Sequence, residues 1–253
     1  QLDTEVEIMA HSEPQQIQIK LATLQGILRE VPVSARGGVQ VTDAGVAFES
    51  LEFNTDQAVL ELNGAVMDPE GAEVKFNGQL PSKLSSGASG SLELEGRFSS
   101  HAGHQLLELE LQALDLDWNG FGVKNLAVST TGTEMSGVLP ALQLDAAELA
   151  WEEQLIDELS LTFGPSGDQH ELKASLLSEQ VVLNSVMNMA PENRDDPFNG
   201  SWQGQLAALE LAIGPAYTFG LLEPAAFKWS DGSVLIEPAC LSENAGGSLC
   251  LGL

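Results

Sequence analysis

The sequence predicts an all-β chain. It reads as an elongated, curved, open antiparallel sheet, a β-groove, made of stacked strand-turn-strand repeats with an apolar concave face. Three observations carry this. Apolar and polar residues alternate with period two along most of the chain. Turn signals such as NG, DG, SSG and SGD break the alternation into short runs. One strand-turn-strand pattern also returns at a fixed offset. Period two sends successive side chains to opposite faces, so each run is a strand with one greasy side.

The runs follow in order: TEVEIMA at 4–10, QIQIKLA at 16–22, GVQVTDAGVAF at 38–48, AVLELNGAV at 58–66, AEVKFNGQL at 72–80 and SLELEGRF at 91–98. Then comes LELELQALDLDWNG at 107–120, whose alternation slips. Leu107, Leu109, Leu111 and Ala113 are in one phase, and Leu114, Leu116 and Trp118 are in the other. LQLDAAELAW at 142–151 slips in the same way, and LSLTF and ELKASLL follow at 159–163 and 171–177. QLAALELAI at 205–213 fits a helix or a strand, and its neighbours favour a strand. NMAPENRDDPFNG at 188–200 reads as a polar loop, with a sequon at Asn199-Gly200-Ser201 that turn chemistry explains equally well.

The repeat is clearest over 109–164, where positions 33 apart agree, as in Leu109 and Leu142. Leu111 meets Leu144, Ala113 meets Ala146, Leu116 meets Leu149 and Trp118 meets Trp151. Val123 then meets Ile156, Leu126 meets Leu159 and Val128 meets Leu161. Shorter echoes begin at Trp202 and Trp229. A repeated slip implies a repeated β-bulge, one extra residue that keeps the apolar side chains on one face while bending the strand. Trp118 and Trp151 then read as plugs where each strand reaches its turn.

Composition narrows the function. A formal net charge of −27, from 37 Asp plus Glu against 10 Lys plus Arg, argues against nucleic acid and against polybasic membrane docking. No apolar run is long enough to span a bilayer as a helix. The chain starts at Gln1 and stops within an alternation, LCLGL, so residues 1–253 read as one continuous groove segment of a larger protein whose anchor lies elsewhere.

Catalytic and metal motifs are lacking: there is no G-x-S-x-G, P-loop, dinucleotide fingerprint or H-E-x-x-H. Of His11, His101, His104 and His170, the two that flank Ala102-Gly103, His101 and His104, read as exposed loop residues, and His170 as a residue making a hydrogen bond across its turn. The carboxylate pairs Asp115 with Asp117 and Asp195 with Asp196 lack a pocket that would separate their pKa values. No enzyme activity, cofactor or metal is expected. CLSENAGGSLC, within 239–251, reads as a hairpin placing Cys240 opposite Cys250, hence a disulfide and an oxidising compartment; two buried thiols or a metal site are the alternatives.

Several segments in order resemble the TamB family, the inner-membrane-anchored subunit of the translocation and assembly module, within the AsmA-like group. They are AEVKFNGQLPSKLSSGASGSLELEGRF, LELQALDLDWNGFGVKNLAVSTTG, GDQHEL, FNGSWQGQLAALEL and EPAAFKWSDGSVLIEPACLSENAGGSLCL. They cover residues 60 to 253 or so and are similar to the family's middle and later region. The resemblance implies a periplasmic β-taco of the bridge-like lipid transfer kind, anchored to the inner membrane through a segment outside this chain. It also implies phospholipid acyl chains as cargo, an Omp85-type outer-membrane barrel as partner of the whole protein, and a link to outer-membrane protein assembly. The expected groove lining is Leu107, Leu109, Leu111, Leu116, Leu142, Leu144, Leu149, Leu159, Leu161 and Phe163. A chaperone that receives client strands by β-augmentation and a closed structural β-solenoid are the alternative functions.

Overall fold

Most strands pair antiparallel with the next, so directly opposed residues share a face and the alternation of single strands adds up to rows across the sheet. A computed structural model describes residues 2–12, 15–43, 45–80, 83, 87–101, 104–131, 141–152, 154–193, 201–230, 233–244 and 246–251. Among them every regular element is a strand. The chain divides into two units, Gln1–Gly132 and Thr133–Leu253.

The first unit is a meander of β1 (Leu2–Ser12), β2 (Gln15–Leu28), β3 (Val31–Thr42), β4 (Gly45–Thr55), β5 (Ala58–Ala65), β6 (Ala72–Gln79), β7 (Ser89–His101), β8 (His104–Trp118) and β9 (Phe121–Thr131). Leu60, Phe76, Leu94, Leu111 and Val128 form one apolar row across β5 to β9. Leu62, Val74, Gly96 and Leu109 form the next. On the other face the same strands carry Glu61, Lys75, Glu95 and Glu110 in one row, and Asn63, Glu73, Arg97 and Glu108 in another. The sheet thus has one apolar and one charged side.

The slip in β8 turns on Asp115, whose φ of 50° is left-handed. Leu114 and Asp115 are both exposed, after which the apolar phase resumes at Leu116. Against β7 this is a bulge: the register shifts around Gly90, where a Cβ would sit 2.7 Å from Asp115 O. Against β9 no shift appears, because β9 slips at the same level, with Val123 buried and both Lys124 and Asn125 exposed. The bend is therefore shared by both arms of the hairpin. Ser50 in β4, at φ 48°, repeats the device, with Gly37 of β3 beneath its carbonyl.

The second unit comprises β10 (Ala141–Trp151), β11 (Gln154–Ser166), β12 (Gln169–Leu177), β13 (Val181–Pro191), β14 (Trp202–Ile213), β15 (Tyr217–Leu221), β16 (Ala225–Ser230), β17 (Ser233–Ile236), β18 (Ala239–Glu243) and β19 (Ser248–Leu251). Glu148 in β10 has φ 51°, the counterpart of Asp115 one repeat earlier, and again the β10–β11 register is unbroken across it. The turn residues Asn119 and Glu152 match as well, at φ 52° and 54°. The 33-residue offset, 148 less 115, is thus a backbone repeat and not only a pattern of Leu.

Beyond β14 the strands break in halves. β15 pairs with the end of β14 and β16 with its start, so 217–230 is one long strand interrupted at Leu222, Glu223 and Pro224. β17 and β18 form a second such strand, interrupted at Glu237 and Pro238. Proline lacks the ladder N–H, so a bulge or break is where a sheet accommodates it. Leu206, Ala225 and Ala239 are buried at this level, with Met187, Leu209, Leu221 and Ile236 packed around them.

Among the described residues neither sheet closes on itself: β1 pairs only with β2 inside its unit, and β19 only with β18. The closed solenoid is therefore excluded. The loop expected at 188–200 also needs correction, since β13 continues to Pro191, which pairs with Trp202; residues 194–200, with the sequon Asn and the Asp195–Asp196 pair, lie outside the described residues. A strand tolerates Pro at its end, and Pro191 takes that place in β13.

Candidate functional site

A strand with one greasy side needs a cover for that side, and in neither unit does the described chain supply one. Ala113 is 1%, Leu241 2% and Trp202 6% exposed, but among the described residues no large side chain falls below 2%. The Leu rows are half-buried by their own neighbours only. The apolar face of each unit is the candidate site.

In the first unit Leu107 lies opposite Phe98, Leu109 opposite Gly96, Leu111 opposite Leu94 and Leu116 opposite Val123. All four Leu are half-buried on one face. In the second unit Leu142 faces Phe163, Leu144 faces Leu161, Ala146 faces Leu159, and Leu149 faces Ile156. Leu149 is buried, Leu142 is exposed, and Leu144, Leu159, Leu161 and Phe163 lie between. The rows continue through Leu176, Ala174 and Leu172 of β12 to Leu183, Ser185 and Met187 of β13.

The tryptophans do not plug the strand ends. Trp118 is 58% and Trp151 65% exposed, each on the last residue of its strand. A plug needs a facing wall, and within its own unit neither side chain has one.

His170 departs from its expected role. It shares the apolar phase with Leu172, Ala174 and Leu176, is 7% exposed, and neither ring nitrogen has a hydrogen-bond partner. Its ring stacks on Phe163, with centroids 5.2 Å apart and planes within 2°, and meets Trp202 edge-on at 5.5 Å. Burial lowers its pKa from the usual 6.5, which keeps the ring neutral. The phase of QHELKASLL was the available signal; expecting a polar residue after a turn to serve the turn concealed it. His101 and His104 are the last residue of β7 and the first of β8, paired to each other.

The opposite face is built for water. Lys75 reaches Glu95 at 3.5 Å, Arg36 reaches Glu52 at 2.6 Å, and Arg97 bonds Glu73. The Arg97 guanidinium holds the Glu73 carboxyl below its usual range, and Asn54 followed by Arg36 does so for Glu52. A shallow hollow of about 720 Å³ opens on this face, bordered mainly by Glu73, Lys75, Glu95, Arg97, Glu108 and Glu110. Among the described residues no His, Cys, Asp and Glu group could hold a metal ion.

Cys240 and Cys250 are joined by a disulfide across β18 and β19, with Cα atoms 4.0 Å apart. Leu241 and Leu249 beside them face the apolar side, in register with Leu221, so the bridge lies on the opposite face and leaves the site untouched.

No curated protein and no solved structure matches the chain. A family model described as TamB, N-terminal domain, does match, over residues 1–252. The motif order had pointed to a middle-to-late region beginning near residue 60; strand-turn-strand units recur along such a sheet, so their order is a poor coordinate. With the match covering nearly the full length of an all-β chain whose strands expose one apolar face, the chain belongs to the TamB family.

Proposed function

We propose that the apolar faces hold phospholipid acyl chains and let them pass across the strands, carrying lipid through the periplasm between the inner and outer membranes. The observation behind this is the row structure: Leu60, Phe76, Leu94, Leu111 and Val128 form an uncovered apolar track perpendicular to the strands. An acyl chain gains about 0.8 kcal/mol per buried methylene, without directional bonds that would pin it. Sliding from one row to the next then exchanges like for like, and no bond is made or broken.

The family's setting is the cell envelope, and no helix of the described residues is long and apolar enough to cross a membrane. Inner-membrane anchoring and pairing with an Omp85-type barrel belong, in this proposal, to the whole protein. A photo-crosslinking residue at Leu144 or Leu161, activated in cells, is expected to give lipid adducts. Adducts to protein alone would overturn the proposal. They would favour a second reading, in which β19, paired on one side only among the described residues, receives client strands by edge addition.

A further inference from the structure

We propose that the polar face of the second unit binds an uncharged sugar chain rich in hydroxyl and acetamido groups. The site lies on the face opposite the Leu rows and does not depend on lipid holding. Two adjacent rows around β14 build it. Asn188 lies opposite Gln205, and Gln205 opposite Ala226. In the next row Ala190 lies opposite Gln203, Gln203 opposite Lys228, and Lys228 opposite Leu235. Gln169 precedes His170, the partner of Met189, so its side chain leaves the sheet on the polar face at the level of this second row. Together these residues border a hollow of about 590 Å³.

Three observations point to a ligand there. Elsewhere on the polar surface an amide beside a carboxylate bonds to it, as Asn54 does to Glu52 and Gln143 to Asp145. Among the described residues the carboxamides of Gln169, Asn188, Gln203 and Gln205 have no side-chain partner of this kind, and the three Gln are exposed. Leu235 breaks the alternation: it stands on the polar face among these amides and is 65% exposed. The hollow is also close to neutral in a chain of net charge −27. Lys228 is bound to Glu192 at 2.6 Å, and Glu237 is the other charged residue on its border. Glu171, beside Asn188, is taken up by Lys173 at 2.7 Å.

These properties select the ligand. A polyanion is repelled by the chain as a whole. A cation meets denser carboxylates in the hollow of the first unit, at Glu73, Glu95, Glu108 and Glu110. An extended peptide joins a sheet at an edge, whereas β14 is paired on one side by β13 and on the other by β15 and β16. A neutral ligand that bonds to side chains remains. Each carboxamide offers an acceptor oxygen and two N–H donors, which complement hydroxyls and the N–H and C=O of an acetamido group. Opposed side chains stand about 5 Å apart and alternate ones along a strand about 7 Å, so neighbouring rings of one sugar chain meet Asn188, Gln203 and Gln205 while a ring's C–H face packs on Leu235.

The test is calorimetric titration of the full chain with oligomers of N-acetylglucosamine. Saturable binding is expected, unchanged between low and high salt because no charge is screened. Gln203→Ala with Gln205→Ala, both at exposed positions, is expected to weaken it about tenfold through lost hydrogen bonds, and Leu235→Ser to weaken it several-fold. Circular dichroism and the thermal midpoint are expected to stay as in the natural chain. Glu110→Gln, on the polar face of the first unit, is expected to leave binding unchanged. No saturable heat, binding that fades with salt, or binding untouched by both β14 and Leu235 variants would overturn the proposal. Saturable binding of a neutral Gly/Ser peptide in place of the sugar, lost in the same variants, would overturn it in favour of a polypeptide ligand.

Discussion

Among the described residues His170 is the one buried titratable side chain that the apolar face retains. Neutral in the folded chain, it regains a proton once the chain unfolds below its ordinary pKa, so the unfolded state binds more protons in that range. By linkage, stability is intact above about pH 6.5 and falls as pH drops below it, by at most about 1.4 kcal/mol per pH unit. The groups on its face in the neighbouring strands, Pro165, Phe163, Met189 and Trp202, bear no charge to offset this. Urea midpoints measured from pH 7.5 to 5 are expected to decline for the natural chain and to stay flatter for His170→Phe. The carboxylates bonded to cations act elsewhere on the scale: with pKa values lowered, Glu52, Glu73 and Glu192 contribute above their ordinary range and lose that contribution as pH falls through their folded values. Gly90 is a second single-residue test. Its φ is 126°, and a Cβ would meet Asp115 O at 2.7 Å and Leu116 Cα at 2.9 Å. Gly90→Val is expected to cost about 2 to 3 kcal/mol by denaturant unfolding, since backbone and not a flexible side chain must yield.

Among the elements, the β18–β19 hairpin depends on its crosslink. β19 has four residues and, among the described residues, one partner strand, little ladder to hold it. The disulfide closes a short loop and removes about 2 to 3 kcal/mol of chain entropy from the unfolded hairpin. Reduction, or Cys240→Ser with Cys250→Ser, is expected to speed amide exchange across 239–251 while leaving β10 to β13 protected, as hydrogen exchange would show. Its symmetric arms, Leu241 with Leu249 and Ser242 with Ser248, made this element legible in sequence, and the pairing is as those arms imply. β13 and the broken strands after β14 were harder to see. Proline reads as punctuation in a sequence, but here Pro191 ends a strand and Pro224 and Pro238 divide strands that resume in nearly the same line.

At the scale of the whole molecule, charge and hydropathy act in different directions. Alternation alone revealed the strands, because a two-residue period leaves only the choice of face. It revealed less of the site: Leu142 and Leu149 were both expected to line the groove, yet they are 38% and 9% exposed, a difference that no periodicity carries. His170, Phe163 and Trp202 come together across three strands, which no local window can show. The net charge of −27 sits mainly on exposed surface and repels itself. Raising salt from about 20 to 300 mM is therefore expected to raise the thermal midpoint, by screening repulsion more than it weakens the few exposed ion pairs. A midpoint that falls with salt would mean that those pairs dominate.

The paired slip of β8 and β9 bears on how such sheets change length. Asp115 and Lys124 sit at the same level on opposite arms, and the hairpin keeps its register because each arm has one residue to spare. Removing both would leave Ala113, Leu114, Leu116 on one arm and Val123, Asn125, Leu126 on the other, an unbroken alternation in the same register; removing either alone would turn half a strand inside out. The double deletion is expected to fold, and each single deletion to aggregate, in a soluble-expression assay. Insertions and losses in this chain are thus admissible in cross-strand couples, so that the apolar face can be lengthened or shortened along both arms together without turning any leucine toward water.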